Sequence, residues 1–155
     1  MQQLNLPEAD LKILKEYDKL KVFDIIRKKY VILTPEEHVR QEFIHYLINE
    51  KKYPKGLLSV EKKLNVFKTE KRADIVLYNT NLKPVVIIEC KAPKINITQK
   101  AFDQIARYNM NFKAGYLIVT NGLKHFCCKP DYKNNSYEFL KEIPDYKTII
   151  SADDN

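Results

Sequence analysis

Glycine and cysteine are scarce in this chain, and both shortages narrow the classes of site that it could contain. Only 3 glycines occur among 155 residues, and no GxGxxG or GxxxxGK pattern is present, which argues against a glycine-rich nucleotide-binding loop. The 3 cysteines (Cys90, Cys127 and Cys128) are odd in number, and no CxxC pair or His/Cys cluster has the spacing of a zinc site. A reducing compartment is therefore the simplest environment for the protein.

Long apolar runs are also missing. The longest are about five residues, whereas a membrane-spanning helix needs roughly 20. The N-terminal segment has no basic stretch followed by an apolar one, so we expect no signal peptide. Together these absences predict a cytoplasmic protein without a membrane-spanning segment.

The charge is unbalanced toward the basic side. Lys and Arg number 27 against 20 Asp and Glu, which gives a formal net charge of +7. The basic residues are scattered, so the excess is compatible with a lysine-rich solvated surface and equally with attraction to a polyanion such as nucleic acid. Apolar residues make up 45% of the chain, and this length and composition fit one globular domain with one core.

Residues 34–143 carry the pattern of a mixed α/β domain. Thr34, Pro35 and Glu37 form an N-terminal helix signal with a capping box, and the helix should end near Glu50. Hydrophobic patterning predicts strands at 57–67, 72–78 and 84–92, a second helix at 98–113, and further strands at 116–120, 125–129 and 137–140. We therefore expect one sheet with helices packed against it.

Two flanking segments fall outside this pattern. Residues 1–33 are predicted to be an N-terminal β-rich extension in which 20–26 and 30–33 form a hairpin. Residues 144–155 read as a polar tail.

Asp74, Glu89 and Lys91 form the pattern with the most chemistry in it. Glu89 and Lys91 are two apart in one strand, so their side chains share a face, and Asp74 lies in the preceding strand. If the two strands pair through the short turn between them, Asp74 lies beside Glu89. Two such carboxylates can hold one Mg²⁺ and leave positions for water and phosphate, and a neighbouring lysine can stabilise developing negative charge.

An acidic-x-Lys tripeptide is weak evidence by itself, because six of them occur in this chain, beginning at Asp10, Glu50, Glu61, Glu89, Asp131 and Asp145. Glu89 differs from the others because it ends an apolar run and has a strand aspartate upstream. An ordinary ion pair of Glu89 with Lys91 is the alternative. Placing two carboxylates in a central strand region is costly without a cation, which favours the functional interpretation.

Three further polar residues are candidates. Gln104 and Tyr108 are four apart on the second helix, so they lie on one side of it and can overlook the strand end. Glu36 shares the helix face of Val39 and could reach the same site, but a first-turn glutamate also favours the helix dipole without any chemistry. Glu37 is explained by capping. The three histidines are dispersed and suggest no Ser/His/Asp or Cys/His arrangement.

The motifs RADIVLY, VVIIECKAP and QIARY together resemble the PD-(D/E)xK nuclease superfamily. The preceding TPEEHVRQEFIHYLI is similar to the first helix in the N-terminal domain of type I restriction enzyme R subunits. The resemblance covers about residues 20–140, with four elements in the same order. Ala73 stands where the superfamily name has proline, and the sequence lacks the P-loop of the translocase domains that R subunits carry.

The resemblance implies a restriction-endonuclease-like αβββαβ core that cleaves DNA with Mg²⁺, for which Mn²⁺ could substitute. It assigns the metal to Asp74, Glu89 and the backbone carbonyl of Cys90, and catalysis to these carboxylates with Lys91. It also implies roles for Gln104 and Tyr108 and for Glu36 or Glu37, of which helical spacing prefers Glu36.

The first functional hypothesis is therefore a metal-dependent DNA endonuclease that hydrolyses phosphodiester bonds. The alternatives are a catalytically inactive nucleic-acid-binding module and a subunit of a restriction or repair complex. The partners expected on these hypotheses are DNA and other subunits of a restriction system.

Overall fold

A computed structural model describes residues 1–66 and 69–153 of the chain. The chain begins with a small antiparallel sheet of three strands in the order β1 (Ile13–Glu16), β2 (Lys19–Asp24) and β3 (Lys29–Ile32). The predicted hairpin corresponds to β2 and β3 and is confirmed. The strand β1 was not predicted, because its side chains are all exposed and show no apolar alternation.

Helix α1 (Pro35–Asn49) follows, and its start is the one that the sequence predicts. The Thr34 hydroxyl accepts a hydrogen bond from the backbone N–H of Glu37 at 3.0 Å, which satisfies one of the free donors at the helix start. The side chains of Val39, Phe43 and Leu47 are fully buried, so one face of α1 packs against the main sheet.

The main sheet has six strands in the order β4-β5-β6-β7-β8-β9. All neighbouring strands are antiparallel except β6 and β7, which are parallel and are joined through helix α2 (Gln99–Asn109). The strands are β4 (Leu58–Val66), β5 (Thr69–Tyr78), β6 (Pro84–Cys90), β7 (Tyr116–Thr120), β8 (His125–Asp131) and β9 (Ser136–Leu140). The first predicted strand, 57–67, matches β4 except at its two ends: Leu57 ends a 3-10 turn (Lys55–Leu57), and residue 67 lies outside the described residues.

The two helices pack against two separate apolar clusters of the sheet. Phe43 and Leu47 of α1 join Val86 and Ile88 of β6 in one cluster, whereas Ile87 joins Phe102 and Ala106 of α2 in the other. Successive residues of β6 thus face opposite helices, which explains its uninterrupted apolar run. The expected fold class, a mixed α/β sheet flanked by helices with an N-terminal β-rich extension, is confirmed.

The end of the second helix differs from the prediction. Helix α2 stops at Asn109, and a single 3-10 turn (Met110–Phe112) completes the predicted span. Lys113, with a φ of 54°, then ends the segment in the left-handed region. The chain therefore changes from an α-helix to a 3-10 turn at Met110, which the sequence pattern places inside the helix.

The expected polar tail also differs from the structure. Residues Tyr146–Asp153 form helix α3, and the Thr148 N–H donates to the Asp145 carboxylate at 2.9 Å, a capping interaction that the sequence analysis overlooked. Ile149 is only 1% exposed and lies in the same cluster as Phe43. The segment is ordered because one apolar side chain per turn docks on the core. Among the described residues, no helix is both long and apolar enough to cross a membrane.

Ile149→Ala should lower the free energy of unfolding by about 2–4 kcal/mol, because it leaves a cavity in the core. Ile150→Ala removes the same atoms from a half-buried neighbour and should cost less than about 1 kcal/mol. Urea denaturation followed by circular dichroism measures both. Equal losses for the two variants would contradict the docking of α3.

Candidate active site

Asp74 and Glu89 meet where β5 and β6 stop pairing. The last paired residues at that end are Ile75 and Ile88, so the next step of the antiparallel register sets Asp74 across from Glu89. The Asp74 carboxylate accepts a hydrogen bond from the backbone N–H of Cys90 at 2.8 Å, which holds Asp74 against the end of β6. The predicted proximity of the two carboxyl groups is therefore present.

This arrangement raises the pKa of Glu89. Burial raises its pKa to about 8, and the negative charge of Asp74 and a hydrogen bond between the two carboxyl groups act in the same direction. The positive charge of Lys91 and a hydrogen bond with Asn109 oppose the shift without cancelling it. At neutral pH the carboxyl pair thus tends to retain a proton between its two members.

Arg40 of α1 lies at the centre of a cluster of carboxylates beside this pair. Its side chain is 5% exposed, and its guanidinium nitrogens lie 2.7 Å from Glu37 Oε1 and 3.4 Å from Asp74 Oδ1. Glu36 and Glu61 extend the cluster at 3.6 Å and 4.0 Å. The buried guanidinium balances negative charge that would otherwise be uncompensated at the sheet end. Burial lowers the pKa of Arg40, but the negative charges of Glu37 and Asp74 outweigh it and raise that pKa.

A second arginine joins this cluster to the N-terminal sheet. Arg27 follows β2, and its guanidinium lies 2.6 Å from Asp24 Oδ2 and 3.0 Å from Glu37 Oε1. Asp24 is fully buried and also accepts a hydrogen bond from Gln41 of α1 at 2.9 Å. A continuous chain of ion pairs therefore runs Asp24, Arg27, Glu37, Arg40, Asp74 and fixes the extension to the candidate site.

Glu36 and Glu37 occupy places that differ from the sequence interpretation. Glu37 was assigned to capping, but only its backbone N–H bonds Thr34, and its carboxylate is buried between Arg27 and Arg40. The Glu36 side chain is 46% exposed and approaches Asp74 only through Arg40. The role of Glu36 in catalysis stays a prediction, while Glu37 is the helix carboxylate built into the network.

A groove of about 340 Å³ opens beside Glu89. Its lining brings together four predicted site residues, namely Glu89 and Lys91 from the sheet and Gln104 and Tyr108 from α2. Gln104 and Tyr108 are exposed, as expected for side chains that overlook an open site. Asp74 contacts Glu89 behind this lining, so the groove gives access from solvent to one side of the carboxyl pair.

Several residues of the site were not predicted from the sequence. Asn109 follows Tyr108, is buried beside Glu89, and donates to the Ile105 carbonyl at 2.9 Å. Arg72 lines the groove and, by the same register, lies across from Lys91. Arg40 had a detectable signal, since it lies three and four residues after two glutamates on a helix.

The donor set of the carboxyl pair fits a small divalent cation. Within residues 1–66 and 69–153, no group of three His, Cys, Asp or Glu side chains is arranged to hold a metal ion. Asp74 and Glu89 nevertheless offer hard oxygen donors, and Mg²⁺ is commonly bound by one or two carboxylates with its remaining positions filled by water or phosphate. Without a bound cation, burial and the negative charge of Asp74 disfavour the ionised form of Glu89, which raises its pKa.

Comparisons with known proteins point to one family. A family model of the N terminus of type I restriction enzyme R proteins matches residues 35–144, more than half of the chain. The fold is similar to a solved fragment described as an HsdR subunit of a type I restriction enzyme from Vibrio vulnificus YJ016, with a TM-score of 0.53 and 16% identity. That match covers 77% of this chain and 25% of the solved chain, so this chain spans about a quarter of its length. No curated protein matches the chain.

Glu89→Gln should stabilise the metal-free fold at alkaline pH. Because the pKa of Glu89 is higher in the folded than in the unfolded chain, its ionisation destabilises the fold as pH rises from about 4.5 to about 8. The variant should exceed the wild type in unfolding free energy by on the order of 5 kcal/mol at pH 9, and the gain should disappear near pH 4. Urea titrations in EDTA across this range measure it. A difference that does not vary with pH would contradict the assignment.

Proposed function

Because the chain belongs to the family of type I restriction enzyme R protein N termini, we propose that it is a Mg²⁺-dependent DNA endonuclease domain of the PD-(D/E)xK type. Mn²⁺ is proposed to substitute for Mg²⁺. DNA is the proposed substrate, and other subunits of a restriction system are the proposed partners. The observation that carries this proposal is the groove in which Glu89, Lys91, Gln104 and Tyr108 converge beside Asp74.

Asp74 and Glu89, with the backbone carbonyl of Cys90, are the groups proposed to hold the cation. A divalent ion bound there supplies Lewis acidity toward a phosphoryl oxygen and lowers the pKa of bound water. The Cys90 N–H and Arg40 keep the Asp74 carboxylate in place, and Asn109 orients Glu89. These contacts are made before substrate arrives, so the carboxylates need little reorganisation during the reaction.

Lys91 supplies positive charge on the solvent side of the pair. It lies two residues beyond Glu89 and lines the same groove, so a phosphate bound there would lie close to its ammonium group. Charge on the phosphoryl oxygens grows as water attacks, and Lys91 is proposed to stabilise it. Gln104 and Tyr108 on the facing helix are proposed to hold the phosphate and the attacking water by hydrogen bonds.

A DNA-binding module without turnover is the second candidate. The contact of Arg40 with Asp74 at 3.4 Å favours it, because a guanidinium already supplies a positive charge to one of the two carboxylates. The shorter contact of 2.7 Å between Arg40 and Glu37 favours the nuclease instead, because it draws the guanidinium charge away from Asp74. Cleavage assays separate the two candidates.

Lys91→Ala should reduce the single-turnover rate of plasmid nicking by about 10²–10³, the usual effect of losing one preorganised charge stabiliser. Binding of the same DNA should stay within about threefold of the wild type, because the remaining basic surface supplies ground-state affinity. Lys91→Arg should not restore cleavage, since a planar guanidinium does not replace a compact ammonium.

Lys94→Ala provides the matched control. It removes the same charge from an exposed position three residues further along the chain, outside the groove lining. If the two alanine variants cleave equally fast, the role of Lys91 is wrong. A wild-type protein that binds DNA but never nicks it with Mg²⁺ or Mn²⁺ would instead identify the binding module.

A further inference from the structure

One face of the three-stranded N-terminal sheet carries exposed apolar and aromatic side chains. Pairing of Phe23 with Tyr30 and of Lys21 with Ile32 places these four side chains on that face. Leu14 pairs with Lys21 and joins them, and the backbone bond from Phe23 to Lys12 continues the register by one step. We call this surface the outer face, defined by Lys12, Leu14, Glu16, Lys19, Lys21, Phe23, Tyr30 and Ile32.

The opposite face of the same sheet packs toward α1 near Val22 and Asp24, while Ile13 and Leu20 on that face are 43% and 44% exposed. Val22 and Asp24 alternate with the outer residues of β2 and are fully buried. The fixed orientation follows from Asp24, which bonds Gln41 of α1, and from Arg27, which bonds Glu37. The sheet therefore cannot turn to bury its outer face without breaking a buried ion-pair chain.

Large apolar and aromatic side chains stand open on the outer face. Tyr30 is 44% exposed, Ile32 46% and Leu14 39%. The rings of Phe23 and Tyr30 meet edge to face with centroids 5.3 Å apart, and the Lys12 ammonium lies 5.8 Å above the Phe23 ring. The aromatic pair is thus held in a defined geometry while the Tyr30 ring stays accessible.

The three-stranded sheet carries an excess of positive charge on both faces. By register, Lys12 and Lys19 lie on the outer face, and Lys15 and Lys29 lie on the opposite face. Residues 12–33 contain seven basic and three acidic side chains. Asp24 pairs with Arg27, and Glu16 lies 3.6 Å from Lys21. The five other lysines of this segment form no ion pair with any described residue, and only Asp18 remains to oppose them. The cations without a carboxylate partner are Lys12, Lys15, Lys19, Lys28 and Lys29.

From this combination we infer that the outer face binds single-stranded DNA and extends the substrate path of the proposed nuclease site. The inference rests on the proposed function for the identity of the nucleic acid. Accessible aromatic rings surrounded by lysines are the chemistry by which proteins hold single strands, with bases stacked on the rings and phosphates on the cations. Duplex DNA offers no unstacked base to a ring on a sheet surface, and an acidic protein would not need the rings.

The ion-pair chain connects the sheet that carries this surface to the candidate active site. Arg27 follows the end of β2, and Arg27, Glu37 and Arg40 span the distance from there to Asp74 through contacts of 3.0, 2.7 and 3.4 Å. The sheet and the carboxyl pair therefore keep a fixed separation.

Fluorescence anisotropy tests this inference with the full chain in EDTA, using a labelled oligothymidylate of about 20 nucleotides and a duplex of similar length. Tyr30→Leu keeps an apolar side chain but removes the ring. It should weaken single-strand binding by about tenfold and leave duplex binding within about twofold.

Two charge-reversal variants form a matched pair. Lys12→Glu with Lys19→Glu changes the outer face, while Lys15→Glu with Lys29→Glu makes the same change on the opposite face of the same sheet. The first should weaken single-strand binding by at least about tenfold and lower the salt slope by about two, and the second should have less than about threefold effect. Circular dichroism checks that every variant is folded.

Two results would overturn the inference. One is an unchanged single-strand affinity in Tyr30→Leu, and the other is equal losses in the two charge-reversal variants. Self-association of the wild type that Tyr30→Leu abolishes, without any change in DNA affinity, would identify a second copy as the occupant instead. The binding assay is run in EDTA and does not depend on cleavage. A failure of cleavage would therefore contradict the proposed function without changing the measured DNA affinities.

Discussion

The pairing of β5 with β6 forces two carboxyl groups together, and much of the surrounding structure compensates for that. Asp74 and Glu89 sit one step beyond the last paired residues, where burial and mutual repulsion raise the pKa of Glu89. The Cys90 N–H and Arg40 bind Asp74, while Lys91 and Asn109 act on Glu89. A pair held so firmly in a mutually unfavourable position is typical of a functional site rather than of a structural ion pair.

Arg40 connects the carboxyl pair to the N-terminal part of the molecule. Its guanidinium needs Glu37 as well as Asp74, and Glu37 in turn binds Arg27 of the N-terminal extension. The extension lies outside the region matched by the family model, yet it supplies one member of the buried ion-pair chain. Removing one partner of such a chain leaves buried charge uncompensated, so the extension and the core are expected to form one structural unit.

Local patterns in the sequence predicted most of the main sheet and part of the site. The apolar run ending in Glu89 predicted a central strand, and Thr34 predicted the start of α1, because both signals act within a few residues. The proximity of Asp74 to Glu89 followed from a short turn between their strands. The burial of Glu37 could not be predicted, because its partner Arg27 lies ten residues away in another element. The docking of α3 likewise depends on Ile149 reaching a core built from distant residues.

Calorimetric titration with Mn²⁺ is the most direct test of the proposal that Asp74 and Glu89 form a divalent-metal site. We expect the wild-type chain to bind one ion, Asp74→Ala to lose that binding, and Asp131→Ala, which removes an exposed carboxylate from β8, to bind unchanged. Equal affinity of the wild type and Asp74→Ala for Mn²⁺, or no binding by the wild type, would contradict it.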